Sequence, residues 1–182
     1  MPKTPHQLIF ENLSPEAYFK TTESAARHIR GFRETFPDSL GHDESTDGFI
    51  VIHIGHSRAS LHLEMPACLV LKNAGYAVVL LEESSYHKSP DVRINSILLE
   101  IKYISKAKNL KNAIAHQFRT AKRKSENLLL HLDQPIKAER LRSALFYAVQ
   151  KFATIAVVWI VWRKQLHQFD RDTILKGRHQ FR

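Results

Sequence analysis

The chain has 182 residues, 43% of them apolar, enough for one domain with an ordinary core. Lys and Arg outnumber Asp and Glu by 27 to 18, a formal charge of +9 that favours a polyanionic partner, most simply nucleic acid. Cys68 is the only cysteine, which excludes an intramolecular disulfide and fits a reducing compartment, such as the cytoplasm as site of action, or a short-lived passage elsewhere.

Residues 1–10, MPKTPHQLIF, lack the apolar run of a signal peptide. Residues 15–36 predict a helix, in one piece or two, from the spacing of Ala25, Ala26, Ile29, Phe32 and Phe36. PDSLGHDESTDG, residues 37–48, is polar, acidic and turn-forming, and reads as a linker or exposed loop. The expected organisation is therefore an N-terminal helical extension over 1–47 and a core domain over 48–182. In the core, Phe49–Ile54 predicts a strand and Ser57–Ala74 a helix stopped by Gly75, although Pro66 falls inside it. Tyr76–Leu81 is an apolar run of the kind buried strands carry. Val92–Tyr103 predicts a hairpin, Leu110–Ser125 an amphipathic helix, Leu128–Leu132 a strand, Ile136–Phe152 a helix and Thr154–Trp162 a strand. The apolar run Ala156–Trp162 is too short to span a bilayer. The tail, DRDTILKGRHQFR, is charged and expected to be partly disordered. The fold class is α/β, a mixed central sheet flanked by helices.

The stretch SPDVRINSILLEIK, residues 89–102, carries the chemistry. If Asn95-Ser96 is a two-residue turn, Asp91 faces Glu100 across the hairpin. Val92, Ile94, Ile97, Leu99, Ile101 and Tyr103 then share an apolar core face, and Asp91, Arg93, Leu98, Glu100 and Lys102 the other. Opposed carboxylates repel unless neutralised. A hard divalent cation such as Mg²⁺ neutralises them with oxygen ligands, and Lys102 projects from the same face as Glu100, where it can position or deprotonate a water. The bland alternative is a solvated edge hairpin with Lys102 screening two acids.

Pro90-Asp91 and Glu100-Ile101-Lys102 resemble the motif of the PD-(D/E)xK nuclease superfamily, with its restriction-endonuclease-like core. The order GFIVIHIGHS, an acid-bearing helix, GYAVVLLEE, KSPDVRIN and LLEIK is similar to nuclease domains of bacterial contact-dependent inhibition toxins, over about residues 48–135. The resemblance implies Mg²⁺ or Mn²⁺ on Asp91 and Glu100, a catalytic Lys102, an accessory acid at Glu64 and an orienting Gln117. It also implies an acidic immunity protein as partner, and delivery as part of a larger toxin. Glu82 and Glu83 are reserve acids.

Lys88, Lys106, Lys108, Arg119, Lys122 and Arg123 are candidate phosphate contacts for DNA or RNA. His53 and His56 have zinc-like spacing but no cysteine or third histidine beside them; His56 could line a cleft or cap a turn. Trp159 and Trp162 read as core. The expected function is a metal-dependent endonuclease, with a catalytically inactive nucleic-acid-binding module of the same fold as the alternative.

Overall fold

In the computed structural model the described residues are 18–19, 22–28, 30, 48–83 and 89–181. Lys88 and most of the expected extension lie outside them. The chain divides into two units, Met1–Leu98 and Leu99–Arg182, and passes from one to the other inside a strand.

Within the expected helical stretch 15–36, the first unit has β1 (Tyr18–Phe19) and a helix, α1 (Thr22–His28), and the remainder except Arg30 lies outside the described residues. Tyr18 and Phe19 pair antiparallel with His53 and Ile52 of β2 (Phe49–His53). The aromatic pair thus satisfies its backbone on a strand edge, a tertiary choice that helical spacing could not reveal. β2 runs parallel to β3 (Ala77–Leu80), with Val51 beside Val79 and Ile52 beside Leu80. Ile50, Val51, Ile52 and all of β3 are at most 2% exposed, so both faces of these strands are covered, as their continuous apolar runs require. β3 pairs antiparallel with β4 (Val92–Ile94).

The β2–β3 crossover is α2 (Arg58–Asn73), with Ser57 as N-cap accepting from the Ser60 N–H. Pro66 stays inside the helix. It is exposed along with His62 and Leu63, so the lost bond to the His62 carbonyl falls on the outward side, where it is cheapest. Leu61, Met65, Cys68 and Leu71 form the buried stripe, each at most 1% exposed. The end is a Schellman cap: Tyr76 N–H reaches the Leu71 carbonyl at 3.1 Å, and Gly75 N–H the Lys72 carbonyl at 2.9 Å. Gly75 has φ +85°, which a Cβ would strain. The stop read from the sequence is the stop observed. Asn95-Ser96 forms the turn after β4, with Asn95 at φ +52°, a conformation asparagine tolerates.

In the second unit β5 (Ile97–Ile104), β6 (Asn127–Leu132) and β7 (Val157–Trp162) pair in parallel order, and β8 (Gln165–Asp170) returns antiparallel to β7. Helices α3 (Leu110–Ala121) and α4 (Ala138–Lys151) supply the crossovers. Register places Ile104, Leu132 and Trp162 side by side, with Leu130 and Ile160 on the same face. That face packs on Ile114 and Phe118 of α3 and Leu141, Leu145 and Val149 of α4. Each fully buried aliphatic there contributes about 1.5–3 kcal/mol. The fold is α/β with mixed strand pairing and helices on the sheet, as expected.

Two expectations are corrected. Gln165–Asp170 is a strand and α5 (Arg171–Leu175) follows it, so the described part of the tail is packed; Ile174 is wholly buried and His179 only 2% exposed. The apolar residues of β5 also do not form one core face. Ile97 and Leu98 are 37% and 44% exposed, while Ile104, on the same strand face as Glu100 and Lys102, belongs to the helix-covered core.

Candidate active site

The two expected acids lie in different units, Asp91 in the first and Glu100 in the second. Each is built by its own surroundings.

In the first unit α2 carries Glu64 inward, 7% exposed, on the side of the helix opposite Pro66. Its Oε2 lies 3.1 Å from Nε2 of His56, whose side chain is fully buried. His56 sits where the chain turns from β2 into α2, and its Nδ1 is 2.7 Å from the Leu81 carbonyl. The N–H of Leu81 in turn donates to the Asp91 carbonyl at 3.0 Å. One residue at the end of β3 therefore ties His56 to the start of the PD segment. Asp91 is itself 8% exposed. Glu83 completes the group, with Oε1 3.6 Å from His56 Nε2 and accepting from the Ser57 N–H at 3.3 Å.

These neighbours perturb one another. Burial pushes the Glu64 carboxyl pKa up; His56 opposes this, while the negative charges of Asp91 and Glu83 add to it, and the net direction is up. Burial alone would lower the His56 pKa, but Glu64, the Leu81 carbonyl and Glu83 outweigh it, and the net direction is also up. Perturbation of this kind marks functional clusters more often than ordinary surface. Cys68, fully buried nearby in the same unit, has its thiol pushed well up by burial, which leaves it a poor nucleophile.

In the second unit β5 places Glu100 and Lys102 on one face by strand alternation. Glu100 is 1% exposed, and its Oε1 takes contacts from Lys102 Nζ at 2.5 Å and Lys124 Nζ at 3.0 Å. Lys124 follows the end of α3. Sequence reasoning did not single it out, because its role at Glu100 depends on tertiary geometry. A carboxylate so deeply buried requires such compensation. Gln117 is half-buried on α3, next to buried Phe118.

Of the candidate phosphate contacts, Lys106, Lys108, Arg119, Lys122 and Arg123 are all exposed. Lys111 and Lys122 are drawn over the Tyr147 and Phe152 rings at 3.9 and 5.5 Å, and Arg119 Nη2 lies 2.9 Å from His116 Nδ1. Trp159 and Trp162 are core, 2% and 4% exposed. His53 spends its Nδ1 on the Gly55 N–H, 3.0 Å away, and so does not join His56 in a zinc pair.

The protein is thus an α/β protein with a buried acid–histidine cluster in one unit and a buried acid–lysine cluster in the other. Its residues 88–164 match the family model described as the contact-dependent growth inhibition CdiA C-terminal domain. That window contains Asp91, Glu100, Lys102 and Gln117, and leaves out His56 and Glu64. A chain of the CdiA-CT/CdiI toxin and immunity complex from Burkholderia pseudomallei is similar at 15% identity and TM-score 0.46, over 63% of this chain and 89% of that one. No curated protein matches the sequence. Among the described residues, no helix is long and apolar enough to cross a membrane.

Proposed function

We propose that the protein is a toxin domain of the contact-dependent growth inhibition type that hydrolyses phosphodiester bonds of DNA or tRNA with a divalent cation. The toxin class is supported by the family match over residues 88–164. The observation that carries the hydrolytic reading is Glu100: a carboxylate 1% exposed on β5, held against a lysine two positions along the same strand face.

Asp91 and Glu100 are the proposed ligands for Mg²⁺ or Mn²⁺, and Glu64 the accessory acid. The donor chemistry fits. Asp91 and Glu64 are both buried carboxylates, and the Asp91 charge helps drive the Glu64 pKa upward; a cation relieves such repulsion. The ion, when bound, acidifies a water and offsets charge on the phosphate. Lys102 holds its ammonium beside Glu100, where it orients the water by donating a hydrogen bond and stabilises by charge the hydroxide that forms. Gln117 orients the group from α3. Lys88, Lys106, Lys108, Arg119, Lys122 and Arg123 hold the nucleic-acid backbone without reading sequence. An acidic immunity protein is the proposed partner, and delivery as part of a larger toxin, to act in the cytoplasm, the proposed route.

The test is incubation with plasmid, single-stranded DNA and total tRNA in Mg²⁺, Mn²⁺ or EDTA. Cleavage by the wild type with metal, absent in EDTA, is expected. Asp91→Ala, Glu100→Gln and Lys102→Ala should each lose about 100-fold or more in rate, the scale of a lost acid–base or charge-stabilising group. Circular dichroism of Asp91→Ala and Lys102→Ala should match the wild type. Full cleavage by both would refute the mechanism. Salt-sensitive binding with no product would show an inactive binding module instead.

A further inference from the structure

The His56 cluster has a feature that the nuclease reading does not use. A carbonyl oxygen can only accept, so the 2.7 Å contact with Leu81 assigns the proton of the neutral ring to Nδ1. The Nε2 lone pair then points towards Glu64 Oε2 at 3.1 Å and Glu83 Oε1 at 3.6 Å. Nε2 facing two carboxylates is repulsive unless a proton or a metal cation lies between them. Nε2 and Glu64 Oε2 are both buried and 3.1 Å apart, and neither has another hydrogen-bond partner among the described residues. One ligand atom from each of His56, Glu64 and Glu83 lies within 4.8 Å of the others. Donors bound to one dication at the usual 2.0–2.2 Å stand about 3–3.5 Å apart in a tetrahedral site, so small side-chain shifts close the set.

We propose that His56 Nε2, Glu64 and Glu83 form a binding site for one first-row transition-metal dication, of the Mn²⁺ or Zn²⁺ kind, in the first unit. Three geometric facts support it. The imidazole donates its other ring nitrogen to a backbone carbonyl, the outer-shell arrangement that fixes metal-binding histidines. Glu64 brings a carboxylate more than nine-tenths buried. Glu83 lies at the exposed rim, its side chain 35% exposed, which gives an ion an entry path and leaves positions for water. One nitrogen and two oxygens suit these metals better than Mg²⁺ or Ca²⁺, which take all-oxygen sets. The site needs no residue of the second unit, and the inference does not rest on the nuclease reading.

The test is metal binding by the full chain without nucleic acid, by calorimetry with ZnSO₄ and MnCl₂, and by Mn²⁺ electron paramagnetic resonance. Glu100→Gln, which removes a proposed ligand of the hydrolytic ion, is the background. That variant should retain one bound equivalent. Adding His56→Gln or Glu83→Gln should weaken binding at least tenfold, and Mg²⁺ should bind at least tenfold more weakly than Mn²⁺. Glu83→Gln keeps an acceptor for the Ser57 N–H and alters an exposed side chain, so it decides the matter if His56→Gln does not fold. No bound equivalent in the Glu100→Gln background, or unchanged affinity in Glu83→Gln, overturns the proposal. Loss of cleavage in Glu100→Gln with this binding intact would separate the two sites.

Discussion

At Gly48 there is room for a hydrogen atom and little else. A Cβ built there would stand 1.9 Å from the Lys72 carbonyl oxygen and 2.8 Å from its carbon. Both are backbone atoms in the last turn of α2, so no side-chain rotation relieves the clash. Phe49, the next residue, opens β2 and donates its N–H to the Tyr76 carbonyl at 3.2 Å. The strand start is thus pinned beside the helix end. Gly48→Ala must push them apart, and overpacking of this kind costs about 1–3 kcal/mol. Urea unfolding should show a lower midpoint with an unchanged slope, while Gly177→Ala, with open space around it but φ +67°, should cost only about 1 kcal/mol of backbone strain. Equal stability of Gly48→Ala and wild type would mean that β2 and α2 are not pinned there. The site shows the same contrast between local and distant causes. Glu100 and Lys102 share a face because strand alternation requires it, and two letters of sequence reveal that. His56 has partners 8, 25 and 27 positions away, Glu64, Leu81 and Glu83, and only the folding of β2, α2 and β3 brings them together.

Elements behave likewise. α4 ends without a Schellman cap; Phe152 N–H bonds only to the Ala148 carbonyl. Arg171 supplies the missing donors, its Nη1 reaching the carbonyls of Val149 at 2.5 Å and Phe152 at 3.1 Å. A guanidinium at a helix C-terminus satisfies orphan carbonyls and meets the negative end of the macrodipole. Arg171→Met keeps the aliphatic stem and removes the donors. It should cost about 1.5–3 kcal/mol, the range for hydrogen bonds to charged groups, seen as a lower melting temperature and faster amide exchange in the last turn of α4. Lys at the same position keeps a charged donor nitrogen at the end of a flexible stem and should restore part of this. Unchanged exchange in Arg171→Met would remove the capping role. This cap was not legible, because Arg171 falls in a stretch whose charge suggests solvent. β8 was not legible for a related reason: Gln165–Asp170 has no buried residue and forms because β7 offers an edge. Its turn, Arg163-Lys164 with φ +54° and +61°, lacks the Asn-Gly signature of such hairpins. The helices α2, α3 and α4 and the strands β2, β3, β6 and β7 were legible to within a few residues because each carries its own period or apolar run.

At the scale of the molecule, acid adds charge to a chain already at +9 with 11 histidines, and self-repulsion grows accordingly. The specific effect lies in the second unit, where burial lowers the pKa values of His131, His167 and His179. A histidine whose folded pKa lies below its unfolded value of about 6.5 binds fewer protons when folded. Its unfolded form therefore gains stability as pH falls. The stability that depends on the neutral ring is complete above about pH 6.5 and is lost progressively down through the depressed folded pKa. His167 is the clearest case. Its ring is nearly parallel to that of Phe169, centroids 6.3 Å apart, and meets Phe181 edge-on at 5.1 Å, and its buried Nε2 has no hydrogen-bond partner. His167→Phe keeps the shape and removes both the titration and the unsatisfied nitrogen. It should melt at or above the wild-type temperature at pH 7.5, and lose less than the wild type between pH 7 and pH 5. His179 donates to the Arg142 carbonyl at 3.4 Å, so His179→Phe should flatten the acid slope only with a loss at neutral pH. Identical acid slopes for wild type and His167→Phe would assign the acid sensitivity to the carboxylates, leaving the aromatic cluster at the C-terminus indifferent to protons.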